Sequence, residues 1–274
     1  MKHLRLVLFS IPLVVLAFAV ISYAGTGPGS GFTDSPHDFS ANGANTQAVG
    51  ACTFCHTPHK AQQTRLLWNH TLSSTNYTWT DATTTMGGTT LPTITAGAAG
   101  WKGPTKFCLS CHDGTVAIGD IAWFKEQSRT GGDALNPTRH SSGEFNIANV
   151  GDMKGNHPVA FPYPWYNGAI STYNGVTTGA QLASDLAKEA LGGAPGAEFN
   201  TDPTTLGIRL FNDSGADVAA GPVASKTGIE CTSCHGVHNE PGFVVEDLLL
   251  RGKLIGNSGT PAATGYICMK CHTR

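Results

Sequence analysis

Every cysteine in this chain belongs to a C-x-x-C-H pentad. The four are "CTFCH" (Cys52, Cys55, His56), "CLSCH" (Cys108, Cys111, His112), "CTSCH" (Cys231, Cys234, His235) and "CMKCH" (Cys268, Cys271, His272), and none of the eight cysteines is left over. Paired cysteines serve three chemistries: a disulfide, a thiolate zinc site, or covalent attachment of haem. Zinc does not ask for a histidine directly behind every pair. Histidine is 11 of 274 residues, so chance would place one after all four pairs roughly once in several hundred thousand tries. Haem attachment needs that residue. Two thiols add to the two vinyl groups of one porphyrin, and two intervening residues set the sulfurs at the right separation on one turn. The adjacent histidine then points a ring nitrogen at the iron as an axial ligand. The pattern therefore implies four covalent haem c groups with their iron, and His56, His112, His235 and His272 as proximal ligands.

The sixth coordination position decides between chemistry and electron passage, because six-coordinate haem iron only passes electrons. Six further histidines lie beyond the N-terminal leader: His37, His59, His70, His140, His157 and His238. Four are needed for two imidazoles on every iron. His59 and His238 lead, since both stand in C-x-x-C-H-x-x-H. On a helical turn residues three apart share a face, so neither can cross to the far side of its own haem. Each is expected to reach a different, closely packed haem. His157, in "NHPVAF", is expected in an extended, buried segment that presets the ring inward. His37, in "SPHDFS", has Asp38 beside it as a partner for Nδ1. His70 is the reserve, behind the apolar anchor Leu66, Leu67 and Trp68. His140 sits in a polar turn, and Met86 and Met153 are discounted because enough histidines are present.

The surroundings suit such sites. Residues 1–24 read as a secretory signal: Lys2 and Arg5 lead an uncharged apolar run from Leu6 to Ile21, and Ser22, Tyr23 and Ala24 form a cleavage site. The run is short for a spanning helix, so no stable membrane span is expected after cleavage. Export matches haem attachment, which takes place outside the cytoplasm. Removing Lys2 and Arg5 takes the formal charge from −2 to −4, and no basic patch points to nucleic acid. Charged residues are 13% of the chain, about half the usual share. Gly and Pro are 34 and 15 residues, which implies a folded but loop-rich chain.

Residues 71–100 read as a solvated Thr/Ser/Gly-rich loop with short strands, and "TTGAQLASDLAKEALGG" (177–193) as the best helix. "LGIRLF" (206–211) and "FVVEDLLLR" (243–251) read as short strands or extended covering segments, and "FPYPWYNG" (161–168) as an irregular wall. The expected fold is mostly irregular, with a few short helices and short strands wrapped around four stacked haems. One domain covers 25–274, with sub-modules 25–130 and 131–274.

"SPHDFS", "CTFCHTPHKA", "LLWNH", "CLSCHDGTVAIGD", "NHPVAF", "GIECTSCHGVHN" and "CMKCH" follow one another from His37 to His272. In this order they resemble the multihaem c-type cytochromes exported by metal-respiring bacteria, and in particular the tetrahaem cytochromes that polymerise into extracellular filaments. The resemblance implies stacked haems with two histidines on each iron. It implies a homopolymer in which His37 ligates a haem of the neighbouring subunit, with His59, His157 and His238 used inside the subunit.

Two function classes are weighed. The first is electron transfer without catalysis, in a secreted filament subunit at or beyond the cell surface, or in a monomeric periplasmic shuttle. Its partners would be other redox proteins or extracellular acceptors. The second is a reductase of nitrite or hydroxylamine type, which requires one open iron and is disfavoured by the supply of histidines.

Overall fold

The computed structural model describes residues 31–32, 35, 37–39, 52–79, 94–97, 100–115, 121–124, 127–129, 151–163, 172–177, 202–212, 214–218, 227–240, 249–252 and 266–272. The signal segment, Met86, His140, the helix expected beyond Thr177 and residues 243–248 lie outside the described residues.

Three short helices carry attachment motifs: α1 (Thr105–His112), α2 (Cys231–Cys234) and α3 (Ile267–Cys271). The first motif forms a turn closed by the His56 N–H on the Cys52 carbonyl at 2.9 Å. The same bond recurs from His235 to Cys231 at 3.0 Å and from His272 to Cys268 at 2.8 Å. One helical turn thus sets each cysteine pair on a common face, as the three-residue spacing requires. The residue just before each second cysteine points the other way. Phe54, Ser110, Ser233 and Lys270 are all buried.

The strands form small antiparallel sheets. β1 (Asn76–Trp79) pairs with β2 (Ile94–Gly97), and β3 (Ile121–Phe124) with β4 (Gln127–Arg129). The largest sheet joins β5 (Phe161–Pro162), β8 (Leu210–Asn212), β9 (Asp217–Val218) and β10 (Thr227–Ile229) in the order β5-β10-β8-β9. The remaining hairpin pairs β6 (Thr172–Tyr173) with β7 (Val176–Thr177). β10 is buried along its length and runs through Glu230 into Cys231, so the sheet delivers the third motif. Gly228 in β10 lies flat under the Tyr173 ring, where a β-carbon would collide with it.

Among the described residues the core forms three small clusters. Tyr77, Trp79, Trp101, Leu109, Met153 and Ala160 form the first. Phe39, Phe54 and Ile121 form the second, against Cys55. Tyr163, Ile208, Leu210, Ile229 and Ile267 form the third, against Cys234 and Cys271. Each cluster therefore contains or touches an attachment motif. Residues 76–79 depart from the solvated-loop expectation, because Tyr77 and Trp79 are buried. Two large aromatic rings outweigh their polar neighbours when a sheet offers them a dry face. The two expected sub-modules interleave: Arg65 bonds the Ser214 carbonyl, and Thr105 bonds Glu230.

Candidate functional site

Each cysteine pair spans a single turn, and the cysteines form no disulfide with one another. The motifs meet in sequence order. Cys55 is pushed well above the usual thiol range by burial, with Cys111 and Cys52 adding to the rise. The Cys108 and Cys231 thiols hydrogen-bond to each other, which raises Cys108 and lowers Cys231. Burial pushes Cys234 up to about 11, with Cys231 and Cys268 adding. It pushes Cys271 up to about 12, with Cys234 and Cys268 adding. Among the described residues no three of His, Cys, Asp or Glu converge as ligands of a single metal ion.

The histidines are arranged across motifs. The His37 ring centre lies 6.1 Å from that of His112, His56 lies 6.3 Å from His238, and His157 lies 6.3 Å from His272. Each pair joins a histidine directly behind a cysteine pair to one distant in sequence. An imidazole nitrogen sits about 2 Å from a bound metal ion with its ring centre about 1 Å further back. Two imidazoles on opposite faces of one iron therefore have ring centres roughly 6 Å apart. The three separations fit that arrangement.

Tautomers fit as well. His56 Nδ1 lies 2.6 Å from the Leu66 carbonyl, and His157 Nδ1 lies 2.9 Å from the Pro158 carbonyl. A carbonyl only accepts, so Nδ1 carries the hydrogen in both and Nε2 keeps its lone pair for a metal. Half-burial lowers His238 below the usual histidine range, against the pull of Glu240, whose carboxylate lies 3.9 Å away. Burial and His157 lower His272. Both shifts favour the neutral, ligating form.

Several expectations need correction. The stretch after the third motif is not helical: His235 is extended, at φ −108° and ψ 133°. His238 faces His56 because the chain turns at Gly236–Asn239, not because of a shared helix face. His157 is exposed rather than buried, because Met153 and Ala160 take the inward places on either side of it. Met153 fills the first core cluster. Leu66 and Leu67 are 49% and 46% exposed, with left-handed φ of 58° and 52°. His59 is exposed, and its carbonyl accepts from Thr57 Oγ1 at 2.9 Å. His70 is 1% exposed, between the rings of Phe54 and Trp68 at 4.9 and 5.4 Å.

The sequence reading missed the residues that seat the motifs. Phe54 stacks on Phe39 with ring centres 3.7 Å apart. Ser110 accepts from Trp68 Nε1 at 3.1 Å, tying the first motif's flank to α1. Lys270 Nζ donates to the Arg251 carbonyl at 2.5 Å. Glu230 and Ser233 form a capping box on α2, with the acid at the N-cap and serine three residues on. That reversed order of a familiar signal was the one sequence clue to them.

No family model matches the chain, and no curated protein matches it. Among the described residues no helix is long and apolar enough to cross a membrane.

Proposed function

We propose that the chain is an electron-transfer protein that binds four haem c groups through its four cysteine pairs, with two imidazoles on each iron. The observation that carries this reading is the set of three cross-motif histidine pairs at 6.1 to 6.3 Å. Zinc sites or disulfides would give no reason for a second imidazole to stand at that distance from the histidine behind each of three cysteine pairs. The bound group supplies one-electron oxidation and reduction at iron.

The chain supplies attachment, ligand choice and orientation. Cys52 and Cys55, Cys108 and Cys111, Cys231 and Cys234, and Cys268 and Cys271 are the tethers. His56 with His238, His112 with His37, and His272 with His157 are the proposed axial pairs. His59 would supply the remaining imidazole, with His70 as the reserve. The Leu66 and Pro158 carbonyls hold their imidazoles in the ligating tautomer. Leu66 and Leu67 stand beside His56, where their exposed side chains are suited to cover an apolar macrocycle.

The chain is further proposed to act outside the cytoplasm, as a subunit of an extracellular filament whose partners are copies of itself and external electron acceptors. Support for this part is the resemblance stated above and the position of His37 near the mature N-terminus. Within one chain His37 already stands beside His112. Exchange of the N-terminal segment between copies would reproduce the same contact across a subunit boundary. A periplasmic shuttle would keep it internal.

The test is the haem content of protein exported with its attachment machinery. Pyridine haemochrome assay and intact mass are expected to give four haem c per chain, with a low-spin oxidised spectrum. A chain without haem c sinks the reading, and a dominant high-spin signal replaces it with the reductase. Electron microscopy of secreted material is expected to show filaments, and monomers at high concentration would leave the shuttle.

A further inference from the structure

The acid buried between two attachment motifs is Glu230, which is 0% exposed; burial raises its carboxyl, and hydrogen bonds from Thr105, Tyr173 and Asn174 pull it back down. Its carboxylate accepts from the Thr105 N–H at 2.9 Å and from the Ser233 N–H of the capping box. These are backbone donors and cannot reverse. They belong to the first turns of α1 and α2, so one carboxylate closes two helix N-termini. Tyr173 OH at 2.6 Å and Asn174 Nδ2 at 3.3 Å complete its shell. Thr105 returns a bond, its Oγ1 accepting from the Cys231 N–H at 2.9 Å. Gly103 leaves the room, since a β-carbon there would overlap the carboxylate. No cation among the described residues bonds Glu230. Lys106 senses it at longer range, and Arg65 acts on Tyr173.

The consequence lies one residue beyond this clasp. Thr105 of α1 accepts from the Cys231 N–H, so the second and third motifs meet beside the cysteines that would tether their haem groups. Among the described residues the other seams between motifs hold no such shared acid. Phe54 and Ser110 serve the first seam, and Lys270 serves the last.

We propose that Glu230 is a positioning residue for electron transfer: it locks the second and third attachment helices together and gives both tethered groups one shared negative neighbour. This rests on the haem c reading above. A buried negative charge favours the oxidised, more positive iron, and low-dielectric surroundings strengthen the effect.

Two variants of the holoprotein separate the parts. Glu230→Gln keeps the size and removes the charge. Thr105→Val keeps the shape and the charge but removes the acceptor for the Cys231 N–H. Haem c is counted first, and each midpoint potential is then followed by haem-resolved paramagnetic NMR. With four groups attached, E230Q is expected to raise the potentials of the two groups on Cys108/Cys111 and Cys231/Cys234 and leave the other two at wild-type values. T105V is expected to weaken the exciton couplet in Soret circular dichroism. Potentials that stay unchanged in E230Q, or that all shift alike, overturn the shared charge. A wild-type couplet in T105V overturns the positioning role. If E230Q loads poorly, peptide mass mapping decides: loss confined to the second and third motifs supports the clasp, and equal loss at all four overturns it. A wild-type chain without haem c sinks the parent reading instead.

Discussion

The two C-H-x-x-H stretches, Cys52–His59 and Cys231–His238, share a pattern but not a construction. The rear one opens with a capped helix, fed by a buried strand and fixed by Glu230 and Ser233. The front one is a turn held from outside, by Phe39 against Phe54 and by Asn69. Asn69 Nδ2 donates to the Thr53 carbonyl at 2.8 Å, and its N–H donates to the Cys55 carbonyl at 2.9 Å. Both second histidines are exposed, but their neighbours differ: His238 faces His56 and has Glu240 nearby, whereas the His59 carbonyl accepts from Thr57. Equal spacing therefore does not confer equal surroundings. The rear stretch is fixed by its capping box and by bonds from Thr105, Tyr173 and Asn174, all far away in sequence, and the front stretch by stacked rings and by Asn69 close behind it.

The largest effect should come from the histidines themselves. His238→Ala is expected to convert one iron of four from low to high spin and to raise its potential. The rise falls within the roughly 0.8 V range that axial ligands command. His59→Ala is expected to do the same to a different iron. Paramagnetic resonance of the two oxidised variants checks both. A high-spin signal in His70→Ala with none in His59→Ala would break the symmetry of the two stretches and move the ligand to His70.

Packing should come next, and unequally. Phe54→Ala removes a fully buried ring and is expected to destabilise the holoprotein by about 3–5 kcal/mol, measured by denaturant unfolding. Ser233→Ala removes one half of the capping box and is expected to cost about 1 kcal/mol. Equal losses would mean that the stacked rings and the capping box hold their stretches equally firmly.

Much of the attachment chemistry was legible because it is local. Two cysteines and a histidine within five residues need only one helical turn to face a common partner, and that turn is closed by its own backbone. The supply of spare histidines was equally plain. The seating residues were harder to see. Phe54, Ser110 and Lys270 occupy the variable positions of their motifs, where nothing in the sequence separates a buried side chain from an exposed one. Tyr77 and Trp79 were hidden in a Thr-rich stretch, because burial of two rings depends on a sheet partner and not on neighbouring residues.

The sequence alone determined which atoms can tether and which can ligate, since those properties belong to residue type and to separations of a few bonds. Only the tertiary structure decided that His37 meets His112, that His238 meets His56, that His157 meets His272 and that Glu230 joins two helices. Those encounters span tens to hundreds of residues, where chain entropy leaves the choice of partner to packing and hydrogen bonding across the whole fold.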